Sequence, residues 1–198
     1  MTAQASERIV LDGRPRQLFA DPLYRLRKRC RLDLRNPYSF STGNYRGYVG
    51  TWEIRDRRLY LVHLCWDGWG GSNSEVPISD ELRQRLLRAA AASDFPIHAH
   101  WFTAIMRIAI GRRLVCNHRG WSHWYESERV VRLRAGDVVR DRVVDMRAIL
   151  EWWLQRNPEA SDRLSSSNPD PRGPLTWFDN EDDDWETDWW PPDYVRRP

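Results

Sequence analysis

The sequence predicts an α+β fold: an antiparallel β-sheet of about six to eight strands, built from hairpins, packed by two helices and followed by an acidic, aromatic C-terminal tail. Three observations carry this. Apolar and polar residues alternate with a period of two on either side of short turns, two segments have helical spacing instead, and charge divides the chain after Arg156. Residues 1–156 hold 27 basic and 17 acidic side chains, a net +10, whereas 157–198 hold 4 and 11, a net −7. Residues 1–156 therefore read as a compact α+β domain and 157–198 as a Pro/Ser linker with an acidic Trp-rich tail.

Ile9-Val10-Leu11, Asp12-Gly13 and a return to Phe19 give the first hairpin, with Pro15 marking its second strand as an edge. From Tyr24 to Arg35, Arg25, Arg27, Arg29 and Arg31 alternate with Leu26, Cys30, Leu32 and Leu34. That is the pattern of a strand with a basic face, while a helix starting after Asp21-Pro22 spreads the same arginines around its surface; both readings stand open. Arg46–Arg55 and Arg58–Trp66 form the clearest hairpin. With Arg55 opposite Arg58, Trp52 and Leu61 become buried neighbours. One face carries Tyr48, Trp52, Ile54, Leu59, Leu61, His63 and Cys65, and the other Val49, Thr51, Tyr60, Val62 and Leu64.

After the Gly-rich stretch 67–73, Ser79 is the N-cap of a helix through Leu82, Leu86, Leu87 and Ala90, with Asp80 and Glu81 in its first turn. Strands follow at Trp101–Ile110, Arg113–His118, Tyr125–Arg134 and Asp137–Val144, with turns at Gly111-Arg112 and Ala135-Gly136. Met146, Ile149, Leu150 and Trp153 then give the second helix. Asn157-Pro158, Ser165-Ser166-Ser167-Asn168-Pro169, Gly173 and Pro174 stop regular structure. Beyond them Trp177, Phe178, Trp185, Trp189, Trp190 and Tyr194 are interleaved with seven acids between Asp179 and Asp188. Solubility needs acids but not four tryptophans, so this segment reads as one that docks, Trp and Tyr being the usual anchors of interfaces.

No apolar run approaches the roughly 20 residues that span a bilayer, and the N-terminus lacks a signal-peptide pattern, so the expectation is a cytoplasmic protein without a membrane partner. Cys30, Cys65 and Cys116 lack the CxxC spacing of a thiolate zinc site and are too few and odd for a disulfide scaffold. All but one of the 31 basic residues are arginine, the exception being Lys28.

Tyr45-Arg46-Gly47-Tyr48-Val49-Gly50-Thr51-Trp52-Glu53-Ile54 with Leu59-Tyr60-Leu61, then Ala99-His100-Trp101-Phe102-Thr103-Ala104 and His118-Arg119-Gly120-Trp121, resembles a group of uncharacterised soluble bacterial proteins built around a WRGYxxTWEI…LYL hairpin. The resemblance covers roughly residues 7–145. Two departures are the Asp56-Arg57 turn, where Asp-Gly is usual, and His100, where an acid is usual. It implies fold boundaries and no reaction.

His98, His100, Cys116 and His118 repeat an i, i+2 spacing that puts two ligands on one face of a strand, the arrangement that would offer zinc a site; core packing of thiol and imidazole is the ordinary alternative. No cofactor is otherwise expected. No GxSxG, HExxH or P-loop pattern occurs, which leaves an enzyme reading resting on the histidine-rich segment 98–123. The basic body suits nucleic acid, without any RNP, KH or helix-turn-helix signature. The leading expectation is a non-catalytic interaction protein, of immunity or adaptor type, whose tail engages its own basic body or another protein. A nucleic-acid-binding regulator masked by the tail comes next.

Overall fold

Asp12-Gly13, Asp56-Arg57 and Ala135-Gly136 each hold positive φ at both positions, 51° and 71°, 48° and 61°, 49° and 80°. That is the type I′ geometry whose twist suits two adjacent antiparallel strands. The computed structural model of the chain describes residues 5–36, 42–66, 76–115 and 123–156. The three turns join β1 (Glu7–Leu11) to β2 (Arg14–Phe19), β3 (Tyr48–Arg55) to β4 (Arg58–Trp66), and β8 (Trp124–Arg134) to β9 (Asp137–Asp145). β5 (Val76–Pro77) and β6 (Ile97–His98) are short, and β7 (Ala104–Val115) pairs along most of β8. The helices are α1 (Tyr24–Cys30), α2 (Asp80–Ala89) and α3 (Met146–Arg156). The protein is α+β and mostly sheet, with nine strands and three helices among the described residues.

The strand order β3-β1-β2-β7-β8-β9-β4 is closed by the β3–β4 pairing, so seven strands form a ring. Its thinnest seam is β4–β9, held by the Arg58–Asp137 pair and by Leu59 N–H to Gly136 O (2.9 Å) and Val138 N–H to Arg57 O (2.8 Å). Gly136 is required at this seam. Besides its φ of +80°, a Cβ there would stand 2.7 Å from Ala99 O and from His98 Nε2. Every ring strand feeds one core: Ile9, Leu18, Trp52, Leu61, Ile108, Leu133 and Val138 are buried together, joined by Leu26 of α1 and Leu82, Leu86 and Leu87 of α2. Ser79 Oγ caps α2 by accepting from Leu82 N–H at 3.3 Å.

Four expectations need correction. The sheet is mixed, because β1 lies parallel to β3 with Ile9 against Trp52. Parallel neighbours need a long crossover, and β2, α1 and the chain to residue 47 supply it. The Tyr24–Arg35 stretch is helical only to Cys30. Arg31, at φ 50°, ends α1 in the left-handed region, and Leu32 and Leu34 are buried in the segment after it. The apolar half of the alternation thus serves two different local structures, and the helix total rises to three. Gly111-Arg112 is no turn: β7 runs through it, with Gly111 at φ +82° and a register shift between Ile110 and Arg113. Trp101 and Phe102 precede β7, where Trp101 Nε1–H donates to Pro22 O at 2.8 Å.

The fourth concerns the faces of the main hairpin. Trp52 and Leu61 are opposite each other and fully buried, as expected, but a bulge beside Thr51 and Trp52 leaves Val62 unmatched. Beyond it Leu64 faces Gly50 and Trp66 faces Tyr48, so Leu64 and Trp66 enter the core. His63 becomes exposed, and Cys65 is buried on the opposite face with its thiol directed at Val49 O (3.5 Å).

Candidate interaction surfaces

Helix α1 has no acidic residue in its first turn and exposes Arg25, Lys28, Arg29 and Arg31. Among the described residues Lys28, Arg29 and Arg31 form no ion pair. Lys28 Nζ lies 5.7 Å above the ring of Tyr24, which is 43% exposed. Arg27 turns inward: its Nη1 donates to Tyr48 Oη at 3.0 Å and stands 3.6 Å from Asp21. Of the four arginines expected on a basic surface, Arg25, Arg29 and Arg31 are exposed and Arg27 is not. Some arginines elsewhere meet local carboxylates, as in Arg35–Asp33, Arg55–Glu53 and Arg83–Asp94. Asp33 beside Arg35 has its carboxyl pulled down to about 2, chiefly by the hydrogen bonds from the guanidinium.

A second arginine cluster comes from strand register. Across β7, β8 and β9, one row reads Ile105, Arg132, Arg140, the next Arg107, Val130, Arg142, and the third Ala109, Glu128, Val144. Residues directly opposite share a face, and α3 packs on this one through Met146 and Ile149 against Val130 and Val144. Arg107 holds buried Glu128 through two hydrogen bonds of 2.6 and 2.7 Å, its guanidinium 5.6 Å above the Phe19 ring. Asp141, opposite Val131, bonds Arg129 at 2.9 and 2.6 Å.

His98 and His100 stand near each other, ring centres 6.3 Å apart, with Tyr60 at 5.5 Å from His98 and Asp137 3.7 Å from its Nε2. Cys116 and His118 lie outside the described residues. Among the described residues no group of three or more His, Cys, Asp or Glu side chains is placed to hold a metal. Trp177, Phe178, Trp185, Trp189, Trp190 and Tyr194 also lie outside the described residues.

The sequence reading passed over a buried polar network. Glu7 is fully buried, with Oε1 accepting from Arg46 Nη1 at 2.7 Å and Oε2 from Gly50 N–H at 2.6 Å and Trp52 Nε1–H at 3.0 Å. Arg46 also donates to Ala5 O at 2.5 Å. Tyr48 Oη donates to Asp21 at 2.7 Å, and Arg27 and Arg46 both lie against its ring, at 5.0 and 5.5 Å. Burial pushes the Glu7 carboxyl up to about 7, against the opposing pull of Arg46, Trp52 and Gly50. Burial raises the Tyr48 hydroxyl well above its ordinary range, and the charges of Asp21 and Glu7 push it further. A signal existed in the sequence: Glu7 shares the period-two face of Ile9 and Leu11.

No helix among the described residues is long and apolar enough to cross a membrane. Compared with protein-family models, curated proteins and solved structures, the chain matches none.

Proposed function

We propose that this chain is a non-catalytic interaction protein, of immunity or adaptor type, in which the acidic-aromatic segment 177–194 docks on the basic body or on a protein partner. The observation supporting this reading is the uneven compensation of surface charge. Arg35, Arg55 and Arg58 of the loops and hairpins have local carboxylates, while Lys28 and Arg29 of α1 and Arg31 at its C-cap have none among the described residues. A body of net +10 tethered to a segment of net −7 draws the two together at the roughly millimolar effective concentration of short tethers.

Hydrogen exchange of the tail amides in the full chain tests this. The expected result is protection of 177–194 at low salt that weakens at high salt, because exposed ion pairs are screened over about 8–10 Å near physiological ionic strength. Exchange at the free-peptide rate at every salt concentration, with no protein partner captured through the tail, would overturn the reading.

A second reading, a nucleic-acid-binding regulator, draws on the exposed Tyr24 ring beside Lys28, Arg25 and Arg29, a pairing of stacking surface and cations that suits a single strand. In the full chain, Asp182→Asn with Asp183→Asn and Asp184→Asn then raises affinity for oligothymidylate. Unchanged affinity removes this reading.

A further inference from the structure

The net charge of the body does not name a seat for the tail, but helix α1 offers one. Tyr24, Lys28 and Arg31 follow at i, i+4 and i+7, so they fall within one narrow stripe of the helix, with Arg29 at its flank. All four are exposed. Lys28, Arg29 and Arg31 form no ion pair among the described residues, and Lys28 with Arg31 is a like-charge pair three positions apart, which weakens a helix by itself. Arg25 is already engaged.

The C-terminal end of α1 offsets only part of this charge, since a helix end carries about −0.5 of an elementary charge and three cations surround it. Other arginines are placed differently. Arg35, Arg58, Arg83 and Arg129 each have a carboxylate, and Arg85 and Arg88 share α2 with Asp80 and Glu81. In α1 no residue is acidic. The stripe also carries the exposed ring of Tyr24, with Lys28 Nζ 5.7 Å from its centre, so it asks for a ligand with acids and an aromatic at matching spacing.

The tail holds such a unit in Asp182-Asp183-Asp184-Trp185, where an unbroken acidic run abuts a tryptophan. From Tyr24, Lys28 lies about 6 Å and Arg31 about 10 Å along the helix axis. An extended chain covers about 10 Å from Asp182 to Trp185. With Trp185 on Tyr24, Asp184 then falls at Lys28, Asp183 beside Arg29 and Asp182 at Arg31, the segment running antiparallel to α1. The opposite direction offers Glu186 and Asp188 with Thr187 between them, one acid fewer.

We propose that Asp182–Trp185 of the same molecule seats on the α1 stripe, Trp185 against Tyr24 and the three carboxylates against Lys28, Arg29 and Arg31. This rests on the reading that the tail docks, and it makes the tail the competitor of any outside polyanion for the same stripe. The twenty residues 157–176 extend to about 66–72 Å, so they reach any surface of a domain with a radius of gyration near 15 Å.

The test is tail-amide exchange at low salt in four full-length proteins: the natural chain, Lys28→Glu with Arg31→Glu, Trp185→Ser, and Arg85→Glu with Arg88→Glu as the control on α2. The expected result is protection of 182–186 in the natural chain and the α2 variant, independent of protein concentration. Exchange is about tenfold faster in the α1 variant, the size expected for two exposed ion pairs lost together, and faster also in Trp185→Ser. Adding Asp182→Arg and Asp184→Arg to the α1 variant restores protection, which an unfolded variant could not do. Protection that survives the α1 reversals, or that the α2 reversals release equally, overturns this placement and leaves the docking reading intact. Protection that grows with protein concentration replaces the cis contact with one between copies. A natural chain with free-peptide exchange and no captured partner removes both.

Discussion

Glu7 and Glu128 are both fully buried glutamates facing an arginine, yet they are built differently. Glu128 and Arg107 lie on paired neighbouring strands, and each of the two carboxylate oxygens has one guanidinium nitrogen. The Arg107 and Glu128 side chains are 4% and 0% exposed. Glu7 instead joins separate parts of the chain: Arg46 from the segment before β3, the Gly50 amide and the Trp52 indole. Arg46 continues to Tyr48, and Tyr48 to Asp21 and Arg27 of the α1 region. The difference is one of redundancy. Among the described residues the side-chain donor to Glu128 is Arg107, whereas Glu7 has three donors and a second carboxylate nearby that opposes its charge.

The sharpest way to break the comparison is to remove each arginine. Arg107→Met leaves Glu128 buried and uncompensated, and urea unfolding should show a loss of about 3–5 kcal/mol, while Arg107→Met with Glu128→Leu recovers most of it. Arg46→Met should cost less, about 1–3 kcal/mol, because Glu7 keeps the Gly50 and Trp52 donors and can take up a proton. Equal losses at the two sites would show that Glu7 depends on Arg46 as fully as Glu128 depends on Arg107.

Next in size is Gly50→Ala. A Cβ at Gly50 falls inside contact distance of the Glu7 carboxylate and 2.9 Å from Trp52 Nε1. The carboxylate is the far end of a flexible side chain, but three donors pin it in place. The expected loss is about 2–3 kcal/mol, in the range of overpacked cores, and Glu7→Ala in the same chain should relieve part of it by vacating the space. A Gly50→Ala protein of natural stability would show that the carboxylate moves freely.

Which of this was legible depends on the distance over which a signal acts. The Asp12-Gly13, Asp56-Arg57 and Ala135-Gly136 turns, the Ser79 cap and the Trp52–Leu61 pair are local, and short patterns fixed them. The Val62 bulge was not legible, because both faces of β4 are apolar and either register satisfies the same pattern. The parallel β1–β3 pair and ring closure are contacts between distant segments, with no local cost to betray them. In α1 the arginine alternation came from composition, and the buried Leu26 obeyed a helix. Arg25 through Arg31 were visible as a charge run, but the opposition of Arg132 and Arg140 needed a bulge that the sequence does not announce. Glu7 was the missed opportunity: an acid on the apolar face of a strand asks for buried partners.

The gentlest gradient, spread over more than two pH units, distinguishes the sites by pH. Burial raises the folded-state pKa of Glu7 from the ordinary 4.5 to about 7. Between those values the folded chain keeps a proton that the unfolded chain has released, so stability must fall as pH rises. The contribution is complete below about pH 4.5 and gone above about 7. Asp33, Glu53 and Glu126, all lowered by arginine partners, act in the other direction and at lower pH, losing their contribution as the solution is acidified through their folded values. Urea unfolding at steps from pH 4.5 to 7 should therefore show a downward slope of at most about 1.4 kcal/mol per pH unit that Glu7→Gln abolishes. Taking the difference between the two proteins cancels every other titrating group. If the difference is flat across the window, Arg46, Gly50 and Trp52 outweigh burial, Glu7 stays ionised, and its network is a rigid ion pair with extra donors rather than a proton-holding node.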